Sequence, residues 1–126
     1  MKPGSSSTVL VVDDEPDVAE MISYCVSQWG YAVSTAEGGD QAIDLARTTR
    51  FDLAICDLTM PGRDGIETAR ALRDLTPTMR IIIVTGYASE GAQSAIREGV
   101  AEAWLAKPFT VTELEDSIGR VFAPPA

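Results

Sequence analysis

The sequence contains no histidine and only two cysteines. Cys25 and Cys56 stand in apolar segments without CxxC or any other metal-ligand spacing, which excludes a zinc site and predicts buried free thiols. Such thiols suit a reducing cytoplasm, the predicted location. Cationic side chains are also scarce: 10 Lys and Arg stand against 19 Asp and Glu, a net charge of -9. Direct nucleic-acid binding is therefore disfavoured, because it draws its affinity from many cations reaching phosphates. No apolar run approaches the ~18 residues that span a bilayer, and Met1 to Thr8 lacks the hydrophobic stretch of a secretory signal, so no membrane contact is predicted.

What is present fits one domain. A chain of 126 residues can bury a real core but is too short for a second unit of ordinary size. Its 45% hydrophobic and 23% charged content is that of a soluble globular domain. The domain body is predicted over residues 8–122, between a disordered tail at 1–7 and a C-terminal tail at 123–126, with no internal repeat or linker.

Thr8 to Val12 is a compact β-branched run that stops at Asp13-Asp14, the pattern of a strand buried on both faces. Pro16 suits a first helical turn, and Val18, Ile22, Cys25 and Trp29 then recur at helical spacing until Gly30. Further strands are predicted at Tyr31–Ala36, Leu53–Cys56, Ile81–Val84 and Ala103–Ala106. Helical stripes lie between them: Ala42, Leu45 and Ala46; Ile66, Ala69 and Leu72, stopping before Pro77; and a weaker segment from Ser89 to Gly99. Thr110 and Glu113 form a capping box that opens a last helix with a stripe of Val111, Leu114, Ile118, Val121 and Phe122. Strands alternating with helices in this way predict a doubly wound α/β sandwich, a five-stranded parallel sheet between two helical layers.

Ligands of open parallel sheets bind at the carboxyl ends of the strands. Here strand one ends in Asp13-Asp14, strand three in Asp57, strand four in Thr85 and strand five in Lys107. Clustered carboxylates raise one another's pKa unless a positive partner relieves them. Oxygen donors without His or Cys favour magnesium, or manganese, over zinc, and magnesium commonly shares itself with a phosphate oxygen. Phosphoryl transfer needs alignment and charge stabilisation. Asp57 would be the in-line nucleophile, the metal and Lys107 would each hold a phosphoryl oxygen, and Thr85 would donate a hydrogen bond to the third.

Val-Val-Asp13-Asp14-Glu, Asp57-Leu-Thr-Met-Pro-Gly, Thr85-Gly and Lys107-Pro-Phe, in this order and at these intervals, closely resemble the CheY-like receiver domains of bacterial response regulators. The resemblance runs from about Thr8 to Phe122. It implies the flavodoxin-like fold and phosphorylation of Asp57 by a phosphohistidine on a sensor histidine kinase or histidine phosphotransfer protein. It also implies a metal held by Asp14, Asp57 and the Thr59 carbonyl, with Asp13 binding through water. The hydroxyl of Thr85 would couple to the aromatic three residues before the lysine, here Trp104, to remodel the face of helix four, strand five and helix five for a downstream protein target. A phosphorylation-dependent homodimer through that face is compatible with the family. Two departures stand out: Trp104 replaces the more usual Tyr or Phe, and Gly99 falls one residue early relative to the lysine.

Other readings fit less of the sequence. A phosphatase of the haloacid dehalogenase type would need a general acid two positions after its nucleophile, where this chain has Thr59, so no enzyme acting on outside substrates is predicted. Gly38-Gly39 is not a dinucleotide-binding glycine motif. A receiver that binds partners without being phosphorylated would have no use for the whole charge cluster. A stand-alone receiver is the favoured organisation.

Overall fold

The computed structural model describes residues 7–58, 65–86 and 90–122 of the chain. Both predicted tails apart from Ser7, together with Thr59, Met60-Pro61-Gly62 and Ser89, lie outside the described residues.

The elements run β1 (Thr8–Val12), α1 (Pro16–Gln28), β2 (Ala32–Ala36), α2 (Gly39–Thr48), β3 (Leu53–Asp57), α3 (Gly65–Leu75), β4 (Arg80–Thr85), α4 (Glu90–Arg97), β5 (Ala103–Ala106) and α5 (Val111–Phe122). All strand pairings are parallel and the order across the sheet is β2-β1-β3-β4-β5. The chain therefore reverses its winding direction between β1 and β3, and their carboxyl ends flank the crevice that this reversal opens.

Side-chain alternation divides the core. Leu10, Val12, Ala54, Cys56, Ile81 and Ile83 face the layer of α2, α3 and α4, whereas Val9, Val11, Leu53, Ile55, Ile82 and Val84 face α1 and α5. With both faces covered, the central strands become continuous apolar runs, and β3 is buried at every position.

The predicted helical stripes shift in detail. In α5 the buried side starts at Leu114 and continues through Ser117, Ile118 and Val121, while Val111, the first helical residue, is exposed and Phe122 only partly buried. In α1, Ala19, Ile22 and Val26 are buried, and Cys25 and Trp29 pack half-buried at the flank of the stripe rather than in its centre. Cys56 is fully buried, and both thiols are free. The capping box forms in both directions: the Thr110 amide donates to Glu113 Oε1 at 2.9 Å and the Glu113 amide to Thr110 Oγ1 at 3.0 Å.

Helix α4 ends at Arg97, two residues before Gly99. Gly99 takes φ +77°, the Val100 amide donates to the Ala95 carbonyl at 2.8 Å and the Gly99 amide to Ile96 at 3.1 Å, a Schellman ending that requires a left-handed residue.

Candidate functional site

The site grows from three strand ends. Beyond β1, the Asp13 amide donates to the Ala36 carbonyl at 3.1 Å, and Asp13 Oδ1 accepts the Glu15 amide at 2.9 Å, which turns the chain into α1. Asp57 is the last residue of β3, in register with Val84, and the Leu58 amide donates to the Val84 carbonyl at 2.8 Å. After β5, the Lys107 amide donates to the Thr85 carbonyl at 2.8 Å, and a cis peptide joins Lys107 to Pro108.

Ligating oxygens of Asp13, Asp14 and Asp57 all lie within 4.8 Å of one another. Lys107 Nζ sits 3.2 Å from Asp13 Oδ2, 3.2 Å from Asp57 Oδ2 and 2.9 Å from Glu15 Oε1. Asp13 and Asp57 are buried, whereas Asp14 is exposed. Beside the cluster, a cleft of about 310 Å³ is bounded by Asp13, Asp14, Ser23, Thr35 and Glu37, among others.

The electrostatics follow from this crowding. Burial raises the Asp13 pKa above the usual aspartate value, helped by the charge of Asp57, and the Glu15 amide and Lys107 offset only part of the rise. For Lys107, burial acts downward, but the bonds to Glu15 and Asp13 and the charges of Asp13 and Asp57 outweigh it and hold the ammonium above the ordinary lysine range. Burial, with the adjacent Asp57 charge, pushes the Cys56 thiol up to about 12. Among the described residues, one ammonium thus contacts the three carboxylates of Asp13, Glu15 and Asp57, with the Asp14 carboxylate close to those of Asp13 and Asp57. An all-oxygen donor set with uncompensated negative charge suits a hard divalent cation.

Of the residues singled out in the sequence, Lys107 meets Asp13 and Asp57 directly, and Asp14 brings a carboxylate oxygen within 4.8 Å of theirs. Thr85 is buried at the end of β4, beside Asp57's strand. Trp104 is half-buried against the core beneath α2, α3 and α4, and the register pairs it with Ile83 and Thr85 with Ala106, so Thr85 and Trp104 share a face of adjacent strands. Thr59 lies outside the described residues.

Two residues carried no role in the sequence. Glu15 makes the shortest contact to Lys107; the sequence marks it as the last residue of the Val-Val-Asp13-Asp14-Glu motif and as a glutamate where a helix start favours Ser, Thr, Asp or Asn. Gly65 opens α3 so close to β3 that an added Cβ would stand 2.6 Å from the Asp57 carbonyl oxygen and 2.6 Å from Leu58 Cα.

Known proteins resemble this chain in sequence and fold. Residues 9–119 match the profile of the response regulator receiver domain. The transcriptional regulatory protein ZraR of Escherichia coli (strain K12) is 34% identical over 116 residues, covering 91% of this chain and 26% of that protein. The chain thus spans about a quarter of the length of this curated relative. The chemotaxis protein CheY4 of Vibrio cholerae superposes with a TM-score of 0.86 at 32% identity, covering 93% of this chain and 99% of that one. The response regulator TrrA of Thermotoga maritima, solved in complex with Mg(2+)-BeF, gives a TM-score of 0.81 at 31% identity over 92% of this chain and 99% of that one. With the profile covering nearly the whole body and the fold reproduced, this chain belongs to the response regulator receiver domain family.

Proposed function

We propose that this domain accepts a phosphoryl group on Asp57 from a phosphohistidine of a sensor histidine kinase or a histidine phosphotransfer protein, in the cytoplasm. The observation that carries the reading is the convergence of Lys107 with Asp13 and Asp57 at one sheet edge, two buried carboxylates held by a single ammonium. The crowding of Asp13, Asp14 and Asp57 favours a divalent ion, magnesium or manganese, which Asp14, Asp57 and the Thr59 carbonyl would hold, with Asp13 binding through water. The Mg(2+)-BeF complex of TrrA supports the choice of magnesium. When bound, the ion supplies the positive charge that the cluster lacks.

The rest is done by the chain. Asp57, fixed at a strand end, presents a carboxylate oxygen to phosphorus; the new O–P bond forms as the P–N bond of the donor breaks, and the donor imidazole keeps the electron pair. Lys107 holds one phosphoryl oxygen and Thr85 donates to another. Because Asp57 attacks as an anion, no general base is needed. The only turnover is self-phosphorylation and slow self-dephosphorylation. The shared face of Thr85 and Trp104 supports a switch in which the engaged hydroxyl draws the ring inward and alters the α4-β5-α5 surface for a downstream protein target, or for a second phosphorylated copy. The net charge of -9 argues that this domain itself does not touch DNA.

Intact mass after incubation with acetyl phosphate tests the acceptor. One phosphoryl group should be added to the native chain only with magnesium present, and none to Asp57→Asn. Undiminished labelling of Asp57→Asn would sink the assignment, and no labelling under any condition would leave a partner-binding module that works without phosphorylation.

A further inference from the structure

Strand β5 carries Trp104 and delivers Lys107, yet its own burial does little to hold it. None of its four residues is fully buried, whereas β3 is buried throughout and β4 at every position after its first. A strand with weakly buried faces has a weakly specified register, and a slip of one residue turns every side chain to the opposite face. Such a slip would take Trp104 off the face that it shares with Thr85 and carry Lys107 about 3.3 Å along the strand. The register of β5 therefore needs a fixed point outside its own packing.

Glu102, the residue before β5, supplies one. Its amide donates to the Ile81 carbonyl at 2.9 Å, and its side-chain Oε1 accepts the Ile81 amide at 2.7 Å. The carboxylate thus stands in for the carbonyl that a longer β5 would offer, and one residue satisfies both backbone polar groups of Ile81. Arg73 aims that carboxylate from the last turn of α3: its Nη2 reaches Glu102 Oε1 at 2.6 Å and Oε2 at 2.8 Å, while Nη1 donates to the Gly99 carbonyl at 3.1 Å. The two side chains are 24% and 34% exposed, so the pair is held largely out of water. At its other end β5 is fastened by the Lys107 amide on the Thr85 carbonyl and by ammonium contacts inside the site, which change when a phosphoryl oxygen enters. The bonds of Glu102 lie at the opposite end of the strand from that exchange. We propose that Glu102, oriented by Arg73, is the register pin of β5, a positioning residue that keeps Trp104 on the face of Thr85 and Lys107 against Asp13 and Asp57. Its consequence for phosphorylation rests on the phosphoacceptor reading above.

The test uses Glu102→Ala and Glu102→Gln in a Trp29→Phe parent, where Trp104 is the single tryptophan. Two quantities are read on chains shown to be folded by circular dichroism: the resting emission of Trp104, and the fluoroberyllate concentration that half-saturates the site at fixed magnesium, followed by 19F NMR. Glu102→Ala should shift the emission to the red as the ring loses its place against the core, and raise the half-saturating concentration about tenfold, the scale of one weakened charge-assisted hydrogen bond. Glu102→Gln retains an acceptor for the Ile81 amide and should stay close to the parent in both. A lower urea midpoint for Glu102→Ala with emission and saturation unchanged would mean an ion pair that serves stability alone, and overturns the proposal. Equal losses in the Ala and Gln variants overturn it too, because they assign the effect to charge. Should Glu102→Ala not fold, Arg73→Lys, which cannot span both Glu102 oxygens and the Gly99 carbonyl, is expected to show the same two changes to a smaller degree, and parent-like values there overturn the pin. A parent that takes no fluoroberyllate overturns the phosphoacceptor reading, and the resting emission then decides the register claim by itself.

Discussion

Lys107 shows how far a single residue's chemistry depends on distant parts of the chain. Alone in the sequence it is one cation among ten; folded, it meets Asp13, Glu15 and Asp57. Its position was legible because it closes a strand, as Asp13, Asp57 and Thr85 do, and strand ends follow from local apolar patterning. Glu15 was not legible as a lysine partner, since nothing near it in sequence marks a contact spanning 92 residues. Trp104 carries the prediction at this scale. In a Trp29→Phe background, which leaves Trp104 as the single tryptophan, magnesium with beryllium fluoride should shift the emission to the blue as a half-buried ring loses water. A flat emission spectrum, with fluoroberyllate bound, would show that the ring does not report the switch.

At the scale of elements, α3 is the most tightly constrained. Its first residue, Gly65, lies against the backbone of Asp57 and Leu58, and its last turns are tied to the turn between α4 and β5. There Arg70 pairs with Glu98, and Arg73 bonds Glu102 at 2.6 Å and the Gly99 carbonyl at 3.1 Å. A methyl group at residue 65 would meet backbone that no side-chain rotation can clear, so α3 would have to move off the acceptor strand. Gly65→Ala should cost about 1–3 kcal/mol of stability, read from the urea midpoint, and slow labelling by acetyl phosphate. An unchanged midpoint would mean that the helix start yields freely. The sequence could place α3 by its stripe, but not this approach, because a glycine in a loop ordinarily marks a turn. The exposure of Val111 has a similar origin: helical spacing assigns it to the apolar stripe, but only packing determines that burial starts a turn later, at Leu114.

For the molecule as a whole, concentrating carboxylates at one sheet edge sets function against stability. A cation that binds the folded cluster and not the unfolded chain stabilises it by mass action, about 1.4 kcal/mol at a tenfold excess over Kd. Magnesium should therefore raise Tm by several degrees in the native chain and much less in Asp13→Asn. An equal rise in sodium chloride of matched ionic strength would show screening rather than a site. The alternation of five strands with helices, the burial of β1 on both faces and the placing of Asp13, Asp57, Thr85 and Lys107 at strand ends were determined by the sequence alone, because periodicity and apolar runs are local properties. The order β2-β1-β3-β4-β5, the side of the sheet each helix covers, the half-burial of Trp104 and the meeting of Glu15 with Lys107 were decided only by the tertiary structure. These depend on which faces pack together, a sum of many weak contacts between segments far apart in the chain.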